Sequence, residues 1–483
     1  MSKTIVEQLA EFTLETEFPQ LPAEVVEECK RVLLDSLGCA LAAVDEPKGR
    51  IGIQYGRLTG GVGGDATIIG TGDRVSIFGA AFANGELINA MDFDAVLPPG
   101  HVAPYVLPGA LAVGESLGSS GKDLVTAIAV SHEMSYRFAK AMDYLRDTKD
   151  GKISLASVLG FSSTVFGATA AIGKLKGYSG SVLANALGIA GSISPVNTWR
   201  SLLAHAPSST IKYTMAGVVA QTALTAAYMA ELGHRGDLQV LDDAEFGYRR
   251  FIGSSRWEPD SITKNLGADW WFPAEHSYKP YPHCRVLHAP LDGLIQLVEE
   301  NDIKPEEIDA IHAWGEAWIE QPIWLNKTIE HVHDAQFSVA HGLSVGAHRI
   351  TPGRAWQDPD LVFSRSVLDL MDKVTFAPHP DYVAAITKHP ASRPSRIEVV
   401  ARGTTYVAER NYPKGSPSPD PATTMTTDEL VAKFRHNAEG VITPPQADAV
   451  VHEVLNLETV ENIGTLMRQL SGADRKLETI RAY

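Results

Sequence analysis

The chain has 483 residues, 44% hydrophobic and 21% charged, the make-up of a globular protein with two or three domains. Its net charge of −16 argues against nucleic acid as a partner, because phosphate binding needs a basic surface. Cys29, Cys39 and Cys284 include no close pair, which excludes a C-x-x-C motif and fits a reducing, cytoplasmic location. The first residues alternate in charge and carry no apolar core of a signal peptide.

Residues 4–44 repeat apolar side chains at helical spacing, among them Leu9, Phe12, Val25, Val32, Leu33 and Leu37. A glycine-rich stretch at 55–73 follows. Its Gly61-Val-Gly-Gly-Asp-Ala matches a dinucleotide fingerprint in letters, but a short strand rather than a helix comes next, so a turn is expected. Residues 76–240 read as successive apolar helices. Three windows, 153–173, 177–199 and 213–230, hold no Asp, Glu, Lys or Arg. Each is long enough to span a bilayer. Their Ser, Thr, Gly, Asn and Gln, with Pro195 inside the second, predict instead the closely packed centre of a helical bundle and no membrane partner.

The texture changes after about residue 270. Residues 308–314 alternate like a strand, and 396–409 read as a hairpin turning at Gly403. Helical patterns lie between them at 285–300, 335–347 and 364–372, which makes an α+β module. A Pro/Ser/Thr linker spans 411–425. Thr426 and Glu429 then form a capping box that opens a helical segment to about residue 471. The domain limits are 1–272, 273–410 and 411–483.

Three stretches carry candidate chemistry. In the first, an apolar helix over 77–90 runs into Asp92 and Asp94. The turn at Pro98-Pro99-Gly100 breaks the helix, and His101 follows before a second apolar run, 102–117. Two acids and an imidazole at a break between buried segments mark a candidate site. The second stretch supplies Arg200, His205 and Lys212. Lys212 is expected at the start of an apolar helix, where an ammonium is disfavoured unless an anion shares the site. The third is Lys279-Pro-Tyr-Pro-His-Cys, at a domain junction where ligand clefts are common. Nearby, His288 and Asp292 are four apart on one predicted helix, where they would pair structurally. His331, His333 and His341 raise a metal site, but no companion motif at helical spacing accompanies them, so no metal is expected.

With these residues in this order the chain resembles the MmgE/PrpD family, which includes 2-methylcitrate dehydratase, cis-aconitate decarboxylase and iminodisuccinate epimerase. The matching features are Asn84-Gly85 leading to Met91-Asp92-Phe93-Asp94 and His101; His205-Ala206-Pro207 leading to Thr210 and Lys212; the 279–292 segment; Asp334-Ala-Gln-Phe-Ser; and Lys433-Phe-Arg. The resemblance implies a mainly α fold. A large all-helical domain would be built from both chain ends, with a smaller α+β lid domain, in a homodimer. It also implies an active site between the domains, without metal or cofactor, holding Asp92, His101, Lys212 and Lys279. Departures stand at Ala95-Val96 and Val102-Ala103. No histidine lies in 153–160, where decarboxylase-like members carry one, and their lid tyrosine falls near Trp318 or Leu325.

A C–H next to a carboxylate is a very weak acid, so its removal needs a placed base and fixed cations for the charge that develops. His101 is expected to move the proton, with Asp92 as its orienter or partner acid. Lys212 and Lys279 would hold carboxylates, with Arg200 and His205 binding substrate. The expected activity is that of a lyase on a small anionic carboxylate, with dehydration of a hydroxy-polycarboxylate leading. Epimerisation or decarboxylation of a small di- or tricarboxylate is the alternative. A non-catalytic binder of a small acid or a protein is the third reading.

Overall fold

Caps written into the sequence start most of the long helices. The computed structural model describes residues 3–144, 148–149 and 152–472. Thr4 and Glu7 form a capping box at α1 (Ile5–Glu15). Pro22 precedes α2 (Ala23–Ala42), Glu46 caps α3 (Pro47–Gly60) and Ser76 caps α4 (Ile77–Asn89). Next comes α5 (Ala103–Leu117), which stops at Gly118 with a left-handed φ of 66°. A Ser120–Asp123 box opens α6 (Gly121–Ala141). Then follow α7 (Thr164–Leu175), α8 (Gly180–Ser192), the short α9 (Trp199–Ala204) and α10 (Ala216–Glu231). Small residues let α3 and α4 cross closely: a Cβ on Gly56 would lie 2.7 Å from the Gly79 carbonyl oxygen.

The later residues build a four-stranded sheet in the order Thr404–Arg410, Ser395–Ala401, Ile308–Gly315, Val374–Pro378. The first two pairings are antiparallel and the last is parallel. Arg402 and Gly403, at φ 52° and 72°, make the two-residue hairpin turn. Ile397, Val399 and Ala401 alternate inward, and the helix His288–Glu300 covers them; a Cβ on Gly293 would lie 2.9 Å from Ile397 Cγ2. The chain end then returns to the helical part. The Thr426–Glu429 box opens Thr427–Ala438, Phe434 packs on Gly38 of α2, and Lys433 pairs with Asp35 at 2.7 Å. Most buried apolar side chains from Ile5 to Leu470 form one continuous cluster, with a small separate one at Val332, Ala335 and Val362, and the fold is mainly α.

Several expected elements shift. Residues 55–60 are the last turns of α3, while β1 (Ala66–Thr67) and β2 (Arg74–Val75) make the expected short strand and turn. The first uncharged window is helical only from Thr164 onward. The second leaves the bundle after Ser192, and Val196 is 79% exposed, because Pro195 cannot continue a helix. The helix expected over 335–347 is split where Ser338 caps a new start at Val339. Among the described residues, no helix is long and apolar enough to cross a membrane.

Candidate active site

The site is built where α4 runs out. Past Ala90, Asp92 turns the backbone with a φ of 54°, a left-handed conformation that Asp tolerates better than most residues. A tight hairpin follows, β3 (Val96–Leu97) with β4 (Gly100–His101), and it pairs Val96 with His101. That fold-back lays the imidazole over the acids. His101 Nδ1 is 2.7 Å from Asp94 Oδ2, and Nε2 is 3.4 Å from Asp92 Oδ1. Asn89, from the last turn of α4, donates to Asp94 Oδ1 at 3.3 Å.

Two lysines from distant sequence converge on Asp92. Lys212 Nζ donates to Asp92 Oδ1 at 2.9 Å and to the Asn89 carbonyl at 2.8 Å. Lys279 Nζ donates to Asp92 Oδ2 at 2.6 Å and to the Asp92 carbonyl at 2.8 Å. The Lys279 segment is extended and bonds to the hairpin through Ser277 and Val96. All four side chains are buried. Burial pushes the Asp92 carboxyl up, but Lys212, Lys279 and His101 outweigh it and hold the group well below the usual carboxylate range. Asp94 follows the same balance, with burial opposed mainly by His101. Burial also lowers Lys212, which Asp92 only partly offsets.

Residues after 330 fix these loops. Gln336 Nε2 donates to the Ala90 carbonyl at 2.8 Å, and Gln357 Nε2 donates to the Met91 carbonyl at 2.7 Å. Asp334 accepts from Ser208 N at 2.7 Å and from His331 N at 3.0 Å, which ties down the loop that leads to Lys212. Lys433 donates to the Phe93 carbonyl at 2.8 Å and lies over the Phe93 ring.

Asp92, His101 and Lys279 face a chamber of about 70 Å³. Its remaining wall is largely aromatic. Tyr213 stacks on His101 at 5.5 Å and on Phe161 at 4.1 Å, and Trp199, Trp318 and Trp324 extend the wall. Cys284 also lines the chamber, but burial pushes its thiol up to about 11, so it is no thiolate nucleophile near neutral pH. Arg285 and Arg393 stand at the mouth, where the chamber meets an outer cleft of about 690 Å³. Lys279, Arg285 and Arg393 are the cations of the chamber lining; Lys279 and Lys212 pair with Asp92, and Arg393 pairs with Glu316.

Of the residues singled out in the sequence, Asp92, His101, Lys212 and Lys279 come together. Arg200 and His205 do not: both are exposed, and His205 meets Ser201 at 3.3 Å. The reason is that α9 turns its Trp199 face inward and its Arg200 face out. Lys212 is not at a helix start. It precedes α10 by four residues, and the anion that shares its site is Asp92. The His101 orienter is Asp94, not Asp92, because the hairpin register puts Nδ1 over Asp94. His288 and Asp292 do not pair: His288 bonds the His283 carbonyl, and Asp292 accepts from Tyr281 and Lys414 N. Gln336 was visible only as part of a motif, and Gln357 carried no sequence signal. Among the described residues no group of three or more His, Cys, Asp or Glu is arranged to hold a metal.

Comparison with known proteins adds an independent line. The model of the MmgE/PrpD N-terminal domain matches residues 7–260, and that of the C-terminal domain matches residues 281–458. Cis-aconitate decarboxylase-like protein oryM of Aspergillus oryzae is 26% identical over 97% of both chains. Cis-aconitate decarboxylase of Homo sapiens is 24% identical over 98% of this chain and 95% of its own. That of Aspergillus terreus is 26% identical over 57% of this chain and 56% of its own. Lys279 falls between the two matched regions, while Asp92, His101 and Lys212 lie inside the first. The chain belongs to the MmgE/PrpD family.

Proposed function

We propose that the protein is a lyase acting at the carbon next to a carboxylate of a small organic acid, with loss of water from a hydroxy acid as the leading reaction. The observation that carries this reading is that His101 and Lys279 line one chamber, with donor capacity left on the lysine. An ammonium has three hydrogens, and Lys279 commits two of them to Asp92. The third is available for a substrate carboxylate.

In this scheme His101 Nε2 takes the α-proton, with Nδ1 held by Asp94. The C–H electron pair moves into the carboxylate, and the enediolate charge is balanced by Lys279. Collapse expels the β-hydroxyl, which leaves as water with the proton carried by His101. Asp92 stays ionised throughout. Its part is to fix Lys279 and Lys212, not to deliver a proton.

Decarboxylation is the second reading, supported by the names of relatives that align over nearly the whole chain. It also runs through a carbanion: the C–C pair stays on carbon, CO₂ leaves, and a His101 that enters the step protonated donates the proton that takes its place. We further propose that the α+β part, residues 273–410, acts as a lid, since the chamber is narrow and lined from both sides. Homodimeric assembly, a cytoplasmic location and activity without metal complete the reading. The unpaired cysteines support the location.

The test is incubation with hydroxy-di- and tricarboxylates, and with cis-aconitate, in deuterated water. Loss of water or release of CO₂ separates the two lyase readings. Deuterium exchange without consumption indicates an epimerase, and neither outcome indicates a binder. Turnover is expected to survive exhaustive chelation, and light scattering is expected to give twice the chain mass.

A further inference from the structure

Loss of water moves two protons: one leaves carbon, and one must reach the departing oxygen. His101 can make the first transfer, and one side chain of the lining is placed for the second. Tyr213 lines the chamber with Asp92, His101 and Lys279. Its ring is held by stacking on His101 at 5.5 Å and on Phe161 at 4.1 Å, and Trp199 meets it at 5.5 Å. Its carbonyl accepts from Thr198 N at 2.7 Å and from Thr198 Oγ1 at 3.0 Å. The packing supplies no partner for the phenol: among the described residues none hydrogen-bonds to it. Tyr105 also lacks one, but its hydroxyl is buried and it does not line the chamber. The other donors of the lining fit the role less well. The indole N–H groups of Trp199 and Trp324 and the guanidiniums of Arg285 and Arg393 donate hydrogen bonds but keep their protons, and the Cys284 thiol is a weak donor. Lys279 spends two of its three hydrogens on Asp92. Burial pushes the Tyr213 phenol well above its usual range, so it enters the reaction with its proton in place. A departing hydroxide is basic enough to take it.

We propose that Tyr213 is a further catalytic residue, which gives its hydroxyl proton to the β-oxygen as the carbon–oxygen bond breaks. This rests on the lyase reading and divides its proton transfers between two side chains. The step balances. The α C–H pair becomes the second bond of the alkene, and the C–O pair leaves on oxygen, which takes the Tyr213 proton and departs as water. The phenolate then recovers a proton from the His101 imidazolium. The proton taken from carbon thus restores Tyr213, and both residues end as they began.

The test separates the two transfers. Malate, citrate and isocitrate are incubated with the full-length protein in deuterated water. Deuterium entering the recovered acid reports the transfer at His101, and ultraviolet absorbance of the alkene reports loss of water. Tyr213→Phe keeps the ring that stacks on His101. It is expected to retain or raise deuterium exchange while alkene formation falls about 10²-fold or more. A purely structural role would lower both together, since both need His101 in place. Equal loss of exchange and elimination therefore overturns the proposal, as does elimination that Tyr213→Phe leaves intact. If that variant does not fold, fluorotyrosine at position 213 keeps the ring and makes the phenol more acidic. The pH profile of elimination should then move to lower pH while that of exchange stays, and an unmoved profile overturns the proposal. The two readings fail separately. Release of CO₂ from cis-aconitate, with no loss of water from any hydroxy acid, leaves a lyase standing and removes this inference, because no oxygen departs. A protein that neither exchanges nor consumes any of these acids removes both.

Discussion

Two buried ion clusters are built on opposite terms. In the first, Glu133 faces one base. Arg137 Nε donates to Glu133 Oε1 at 2.7 Å, while Trp271 N and Phe272 N supply Oε2 at 2.8 and 3.0 Å. The other Arg137 nitrogens are spent on the carbonyls of Ile262, Lys264 and Asp269. Every strong group is satisfied locally, and the cluster pins 262–272 to α6. In the second, Asp92 faces two lysines and a histidine, and Lys279 keeps a hydrogen in reserve. The carboxyl groups show the difference. Burial leaves Glu133 above its ordinary range despite Arg137, whereas Asp92 is held well below it. A buried charge matched by neighbours holds a fold together. One outnumbered by opposite charges, beside a cavity, is the arrangement on which the proposed function rests.

His101→Ala is the sharpest way to separate the two. Turnover should fall by about 10²–10⁴-fold with little change in melting temperature, measured by steady-state kinetics and calorimetry. Arg137→Ala should do the opposite, costing about 3–5 kcal/mol in urea unfolding because Glu133 is left buried and unpaired. If turnover per folded molecule falls equally in both variants, the comparison fails. Asp94→Asn comes next. It keeps the shape but removes the charge on Nδ1, so kcat should drop about 10²-fold and its pH profile should move.

Glu46 offers a smaller effect with a definite sign. Burial, opposed only in part by the hydrogen bond from Gly49 N, pushes its carboxyl up to about 7. A folded-state pKa above the unfolded one means that the native state holds the extra proton between them. Stability therefore falls as pH rises from about 4.5 to about 7, by roughly 3 kcal/mol. Glu46→Gln keeps the cap and should erase that slope, so its advantage in melting temperature grows with pH. The smallest effect belongs to the exposed pair. Arg200→Ala and His205→Ala should each leave kcat/KM within about twofold, since side chains away from such features contribute little. A tenfold loss would return them to the site.

The four converging residues were legible because each broke a local rule: acids ending an apolar helix, an imidazole after a proline turn, lysines beside buried runs. The apolar helices followed from periodicity and the hairpin at Gly403 from its turn residue, while the fold class as a whole came from the resemblance. What stayed hidden depends on register and on distance along the chain. Asp94 and Asp92 are two residues apart, and only the Val96–His101 pairing decides which of them takes Nδ1. Arg200 and Lys212 looked alike as interruptions of uncharged windows. The direction in which α9 faces separates them, and that is set by packing of Trp199. Gln357 reaches Met91 across 266 positions, which no local pattern can announce.

Lys279 and the two glutamine amides all arrive from beyond the first matched region. Asp92 therefore sits where three separate stretches of chain meet, and its second lysine is supplied only by the last of them. Under the proposed function, a chain cut between residues 260 and 279 is expected to bind no substrate carboxylate.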